Sequence, residues 1–287
     1  MKLLRYGPAG QEQPGLLDKD GRVRNLAGIV DDIAGTALSP ESLAKIAALD
    51  ESTLPIVDGT PQDSLRLGAC VGSIGKFICI GLNYADHAAE SGMDVPTEPI
   101  LFTKASRTYC GPNDPLLYSK EMSKLDWEVE LGVVIGHTAL NVSRDQALDH
   151  VLGYCVVNDV SERAWQAERG GQWVKGKSFP NFCPTGPVLV TGDEVGDPGK
   201  LSLWAEINGE RLQNGTTEKM VFDVATIVSY MSEFIQLEPG DLICTGTPPG
   251  VGMGFKPPRY LSPGDRVRLS VQGLGEQEQV VERLPAR

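Results

Sequence analysis

Apolar and polar positions along much of this chain alternate with the period of a strand rather than a helix. The clearest run is LDWEVELGVVIG, Leu125 to Gly136. In it Trp127, Val129, Leu131, Val133 and Ile135 fall on one face, and Asp126, Glu128 and Glu130 on the other. Other apolar runs bounded by Gly, Pro, Asn or Asp are KFICIGLNY, ILFTKAS, HVLGYCVVNDVS, GPVLVTGDEV, LSLWAEINGERL, DLICTGTP and RVRLSVQG. Helical patterns are fewer: NYADHAAESG, DVSERAWQAERG, and DVATIVSYMSEFI with Asp223 as N-cap. Many strands and few crossover helices predict a mixed or antiparallel assembly, a sandwich or rolled barrel, over a doubly wound sheet.

The first 72 residues read differently. MKLLRYG predicts a strand, and PGLLDKDGRVRNL a hairpin turning at Lys19-Asp20-Gly21. SPESLAKIAALD predicts a short helix with Ser39 as N-cap and Pro40 at its first position. No chemical motif falls here, so residues 1–72 read as a small N-terminal α/β domain packed beside a main domain of residues 73–287.

Composition narrows the class. The 287 residues are 41% hydrophobic and 22% charged, as in globular proteins. The net charge of −12 argues against nucleic acid or an anionic membrane as partner. No signal peptide and no apolar run of the ~20 residues that span a bilayer is evident, so a cytoplasmic protein is expected. The six cysteines are scattered without a CxxC and read as buried free thiols. Three histidines leave little room for a multi-histidine metal site.

The acids of LDWEVELGVVIG then need a reason. Carboxylates two apart on a strand sit roughly 7 Å from one another. Packed into a partly buried site, they raise one another's pKa and oppose folding unless positive charge lies between them. Glu128 and Glu130, joined by Asp159 from the polar end of HVLGYCVVND, would form an all-carboxylate set suited to Mg²⁺ or Mn²⁺. The alternative is an amphipathic edge strand with solvated acids. His87 and Glu90 lie three apart on a predicted helix face, which suits a base that activates water, although such a pair is more often an exposed surface pair. Asp159, Arg163 and Gln166 have helical spacing that keeps them on one side, and Lys177 falls in a loop between Gly and Pro. CTGTPPGVG lacks the P-loop signature; its N–H groups and Thr247 could approach a small anion. Lys104 and Ser106 either face a substrate or belong to a strand's polar face, and residues 91–99 could form a lid.

Taken in order, NYADHxxE, DWEVELxVVIG, NDVSxRxxQ, KSF and GDxIxTGTPxGVG resemble the fumarylacetoacetate hydrolase family over residues 73 to about 272. The resemblance implies a mixed β-sandwich roll, mostly β, with the N-terminal segment as a smaller α/β domain, and a homodimer. It implies Glu128, Glu130 and Asp159 as ligands of Mg²⁺ or Mn²⁺, with Asp126 not a ligand, and His87 with Glu90 as the water-activating pair. It implies Lys177, Arg163 and Gln166 as substrate or transition-state contacts and Thr247 on the loop holding the substrate carboxylate. The expected activity is hydrolysis of the C3–C4 bond of a 2,4-diketo acid. Length, N-terminal segment and the tail GVGMGFKPPRYLSPGD resemble a bacterial subgroup acting on 2,4-diketo-3-deoxy sugar acids. That implies cleavage of 2,4-diketo-3-deoxy-L-rhamnonate, or its fuconate epimer, to pyruvate and L-lactate. Rival expectations are acylpyruvate or fumarylpyruvate hydrolysis, oxaloacetate decarboxylation, and a non-catalytic metal- or acid-binding protein.

Overall fold

A computed structural model describes residues 1–59 and 65–284. Its centre is a nine-stranded mixed sheet. From one edge the strands are Val23–Asn25, Gln13–Leu17, Lys2–Tyr6, Leu189–Thr191, Val151–Asn158, Val129–Ile135, Leu242–Cys244, Phe77–Gly81 and Ile100–Thr103. Only Leu242–Cys244 and Phe77–Gly81 pair in parallel in this sheet. A five-stranded sheet packs on one face, in the order Glu210–Thr216, Ser202–Ile207, Arg266–Val271, Glu276–Arg283 and Leu116–Tyr118. The architecture is the mixed, mostly β assembly that the alternation predicts.

Val129–Ile135 is buried at every position. Val129, Leu131, Val133 and Ile135 meet Leu203, Ala205, Val267, Leu269 and the helix Val224–Phe234 in the core between the sheets. Val134, on the opposite face, packs with Cys79, Cys155, Cys244, Leu38 and Ile46. The acids on that face are therefore enclosed, and an edge strand with solvated carboxylates is corrected: a central strand covered on both sides has no solvent face. All six cysteines are free and buried.

The local expectations for the first segment hold in detail. Ser39 accepts a hydrogen bond from Ser42 N–H and caps the helix Pro40–Ala47. Asp18 clamps the hairpin, accepting from the backbone N–H of Asp20 and Arg22 and from the guanidinium of Arg24. Lys2–Tyr6, however, pairs edge to edge with Leu189–Thr191, so the first three strands extend the large sheet. Their side chains share a core with the central strands. No described helix is long and apolar enough to cross a membrane.

Candidate active site

Strand register brings the acids together. Val157 stands opposite Glu130 and Asn158 opposite Val129, so the next residue, Asp159, reaches Glu128 across the end of the pair. Asp159 N–H donates to Glu128 O at 2.9 Å, and Glu128 N–H to the Asn158 side chain at 3.1 Å. The sequence run is broken here, with Leu125–Asp126 and Val129–Ile135 as separate strands, and Glu128 lies in the gap. One ligand atom from each of Glu128, Glu130 and Asp159 falls within 4.8 Å of the others, and all three residues are buried.

The positive charge that this arrangement demands comes from three side chains. Lys177 Nζ lies 2.6 Å from both Glu128 Oε2 and Asp159 Oδ2. Arg163 donates to Glu128 Oε1 at 2.7 Å, to Asp126 Oδ2 at 2.8 Å and to Gln166 Oε1 at 3.0 Å. Lys104, a residue whose role the sequence left open, is fully enclosed; it donates to Asp159 Oδ1 and to the carbonyls of Val160 and Phe182. Burial alone would raise the Glu128 carboxyl, but the charges of Lys177 and Arg163 hold it well below the usual range. Burial pushes Lys177 down, yet Asp159 and Glu128 keep it raised and charged.

Glu130 differs. No cationic side chain pairs with it among the described residues; it accepts one hydrogen bond, from Gly246 N–H at 2.7 Å. Burial, then the charges of Asp159 and Glu128, push its pKa well up. The buried cluster thus holds four acids, Asp126, Glu128, Glu130 and Asp159, against three cations, Lys104, Arg163 and Lys177. A divalent cation would favour ionised Glu130 and leave the cluster with one positive charge in excess, which a monoanionic ligand would cancel. Three carboxylates without histidine or thiolate suit a hard ion such as Mg²⁺ or Mn²⁺.

Across the same cavity His87 Nδ1 lies 2.8 Å from Glu90 Oε1, on the helix Ala85–Glu90. The pair is not on an exposed face: the His87 side chain is only 7% accessible. Glu90 is itself held by Gly250 N–H. Asp126, predicted not to be a ligand, accepts from Gly252 N–H and Met253 N–H as well as from Arg163. The glycine-rich loop thus gives the N–H groups of Gly246, Gly250, Gly252 and Met253 to Glu130, Glu90 and Asp126, while Thr247 of the same loop stays on the cavity wall. Gly246 is required at its position: φ is +96°, and a Cβ would come within 2.8 Å of Asn83 Cβ.

Several other expectations shift. Asp159 directly follows the strand Val151–Asn158, and the helix begins only at Arg163, so sheet register and not helical spacing sets their approach. Lys177 closes a short helix, Val174–Lys177, rather than lying in a loop. Gly176 lets that helix seat against its neighbour, since a Cβ there would meet Glu162 O at 2.4 Å. Thr247 lines the cavity, but its hydroxyl donates to Val129 O and accepts from Gln213 Nε2. Gln213, buried on the five-stranded sheet, has no local sequence signal and ties that sheet to the loop. Ser106 is exposed. Ser91 and Met93, from the segment proposed as a lid, line the cavity, whose volume is about 250 Å³.

The site can thus hold a hard divalent ion, position an imidazole opposite it, and admit a small ligand. Similarity to known proteins shows the family. The family profile for the fumarylacetoacetate (FAA) hydrolase C-terminal region matches residues 76–282. A Burkholderia lata protein whose name gives the class, hydrolase, and no substrate is 61% identical, with 97% of this chain and 98% of that protein covered. A fumarylacetoacetate hydrolase from psychrophilic Exiguobacterium antarcticum is 36% identical, with a TM-score of 0.85, over 99% of this chain and 100% of that one. A probable 2-hydroxyhepta-2,4-diene-1,7-dioate isomerase from Mycobacterium abscessus is 34% identical, with a TM-score of 0.82, over 100% of each chain. The maleylpyruvate hydrolase of Sphingobium sp. SYK-6, solved with manganese(II) and pyruvate, is 25% identical with a TM-score of 0.81, over 99% of this chain and 100% of that one. Sequence motifs, sheet order and the acid cluster converge on one conclusion: the chain is an enzyme of the fumarylacetoacetate hydrolase family.

Proposed function

We propose that the enzyme hydrolyses the C3–C4 bond of a 2,4-diketo acid to pyruvate and a second carboxylic acid. The observation that carries this reading is the His87–Glu90 pair facing the three-acid cluster across one small cavity. Simple decarboxylation needs no activated water, whereas hydrolysis does. Glu90 fixes the Nδ1 side of the ring, leaving Nε2 to take a proton from water. The water oxygen bonds to C4, the C3–C4 bond breaks with its electron pair left on C3, and C3 is protonated to give the methyl group of pyruvate. Glu128, Glu130 and Asp159 would hold Mg²⁺ or Mn²⁺. That ion would supply Lewis-acid stabilisation of the charge developing at the 2-oxo acid end, worth several kcal/mol. Lys177 would remain beside that charge as a fixed ammonium, and Gln166, whose amide nitrogen is not engaged by Arg163, would orient the substrate.

The substrate we put first is 2,4-diketo-3-deoxy-L-rhamnonate or its fuconate epimer, with pyruvate and L-lactate as products. Support comes from the length, the N-terminal segment and the tail motif of the chain. We also expect a homodimer, to be measured by light scattering. The deciding experiment incubates Mg²⁺-loaded enzyme separately with this acid, an acylpyruvate, fumarylpyruvate and oxaloacetate, and quantifies pyruvate and lactate. Equimolar pyruvate and lactate support the assignment. Rapid consumption of oxaloacetate with no cleavage of any diketo acid overturns it.

A further inference from the structure

The cations that line the cavity are already paired with acids. Arg163 and Lys177 are the only basic side chains other than His87 on its wall among the described residues. All three guanidinium nitrogens of Arg163 donate to Asp126, Gln166 and Glu128. The Lys177 ammonium is taken up by Glu128, Asp159 and the Asp159 carbonyl. Away from the acid cluster the wall carries Met93, Phe102 and Trp173. The segment leading to it, residues 91–99, carries Asp94 and Glu98 and no base. Arg169 and Lys175 stand on the exposed rim; neither lines the cavity, and Lys175 Nζ is bonded to Arg169 O. Ser91 also lines the cavity, and its buried hydroxyl has no partner among the described residues.

We infer that the acyl end of the substrate, the part beyond C4, is short and uncharged, and that the site rejects diketo acids carrying a second carboxylate there. A carboxylate pressed against Met93, Phe102 and Trp173 would lose its water with no cation to replace it. A hydroxyl at that end would find the free Ser91 Oγ. The cavity volume, about 250 Å³, sets the same limit on length. The inference separates this site from one built for a dicarboxylic substrate. It takes its cleavage arm from the hydrolase reading above, but the binding arm stands without it.

Two acylpyruvates of equal chain length are compared in the Mg²⁺-loaded enzyme, one ending in a methyl group and the other in a carboxylate. The methyl-ended acid is expected to have a kcat/KM about 100-fold higher. Calorimetric titration with 2-oxopentanoate and 2-oxoglutarate, which differ in the distal carboxylate, reads the same discrimination without turnover. The first is expected to bind about tenfold more tightly, which corresponds to about 1.4 kcal/mol. Met93→Lys, at an exposed position on the mouth, is expected to shrink both ratios by about tenfold, whereas Arg169→Ala with Lys175→Ala is expected to leave them unchanged. Equal or tighter binding of 2-oxoglutarate, or collapse of the preference in the rim double variant, overturns the inference. If neither acylpyruvate is cleaved but the titration ratio holds, the hydrolase reading fails and the discrimination stands.

Discussion

Glu130 carries the least compensated charge in the molecule's centre, and its replacement separates stability from metal affinity. Glu130→Gln removes repulsion from Asp159 and Glu128 while keeping the acceptor for Gly246 N–H. It is expected to raise the melting temperature in EDTA by a few degrees, roughly 1 kcal/mol, and to weaken Mg²⁺ binding in calorimetry. A lower melting temperature in EDTA would show that the carboxylate is compensated in the metal-free protein. Lys104 has the opposite role. Lys104→Met leaves Asp159 with one cation fewer at a fully buried site and is expected to cost about 3–5 kcal/mol. Because the vacated charge favours a metal, the rise in melting temperature on adding Mg²⁺ should be larger in the variant than in the parent; an equal or smaller rise refutes this account. His87→Gln should leave Mg²⁺ affinity within about twofold while lowering kcat by about 10²–10⁴. Glu90→Gln should lower it less, but it also loosens the loop that Gly250 N–H anchors. Of these residues Glu128, Glu130, Asp159, His87 and Glu90 carry patterns readable in the chain. Lys104 does not, because a lysine at a strand end is ordinarily solvated, and only the fold shows Asp159 at the tip of its ammonium.

At the scale of elements, caps and turns follow local sequence, and Asp18 gives a pH test of one. Its carboxyl is buried, yet the N–H groups of Arg22 and Asp20 and the Arg24 and Arg22 guanidiniums lower its pKa to about 2. The folded value is below the ordinary value of about 3.9, so the stabilisation is complete above that pH and disappears as pH falls from about 4 to 2. Asp18→Asn should therefore destabilise at pH 7, by about 1–3 kcal/mol for the lost charge-assisted hydrogen bonds, with the difference from parent shrinking over that window in denaturant titrations. A difference constant from pH 7 to 2 would rule out the ionic contribution. The longer pattern LDWEVELGVVIG was readable as a strand with a core face and an acidic face. The enclosure of the acidic face was not, since that depends on Lys104 and on the helices Arg163–Ala167 and Val174–Lys177, which bring their cations onto Glu128 and Asp159.

For the whole molecule, the pairing of Lys2–Tyr6 with Leu189–Thr191 puts three N-terminal strands in the same sheet as the strand of Glu130. A chain of residues 73–287 would expose the edge of Leu189–Thr191 and the apolar surface of Phe77, Leu152, Leu189 and Leu242 that Leu3, Leu16, Leu26 and Leu38 cover. It is expected to aggregate or to lose its cooperative transition in calorimetry. A soluble, Mg²⁺-binding fragment would instead establish two independent domains. Alternation with period two, the Ser39 and Asp223 caps, the turn at Lys19-Asp20-Gly21 and the placement of acids on one strand face were fixed by the chain itself, because they arise within a few residues along the backbone. The partners of those acids were decided only in three dimensions. Arg163 meets Asp126 across 37 positions, Lys177 meets Glu128 across 49, Lys104 meets Asp159 across 55, and Gly246 meets Glu130 across 116. A buried charge is settled by whichever groups the sheet order brings within a few ångströms, and no local pattern in the chain encodes that distance.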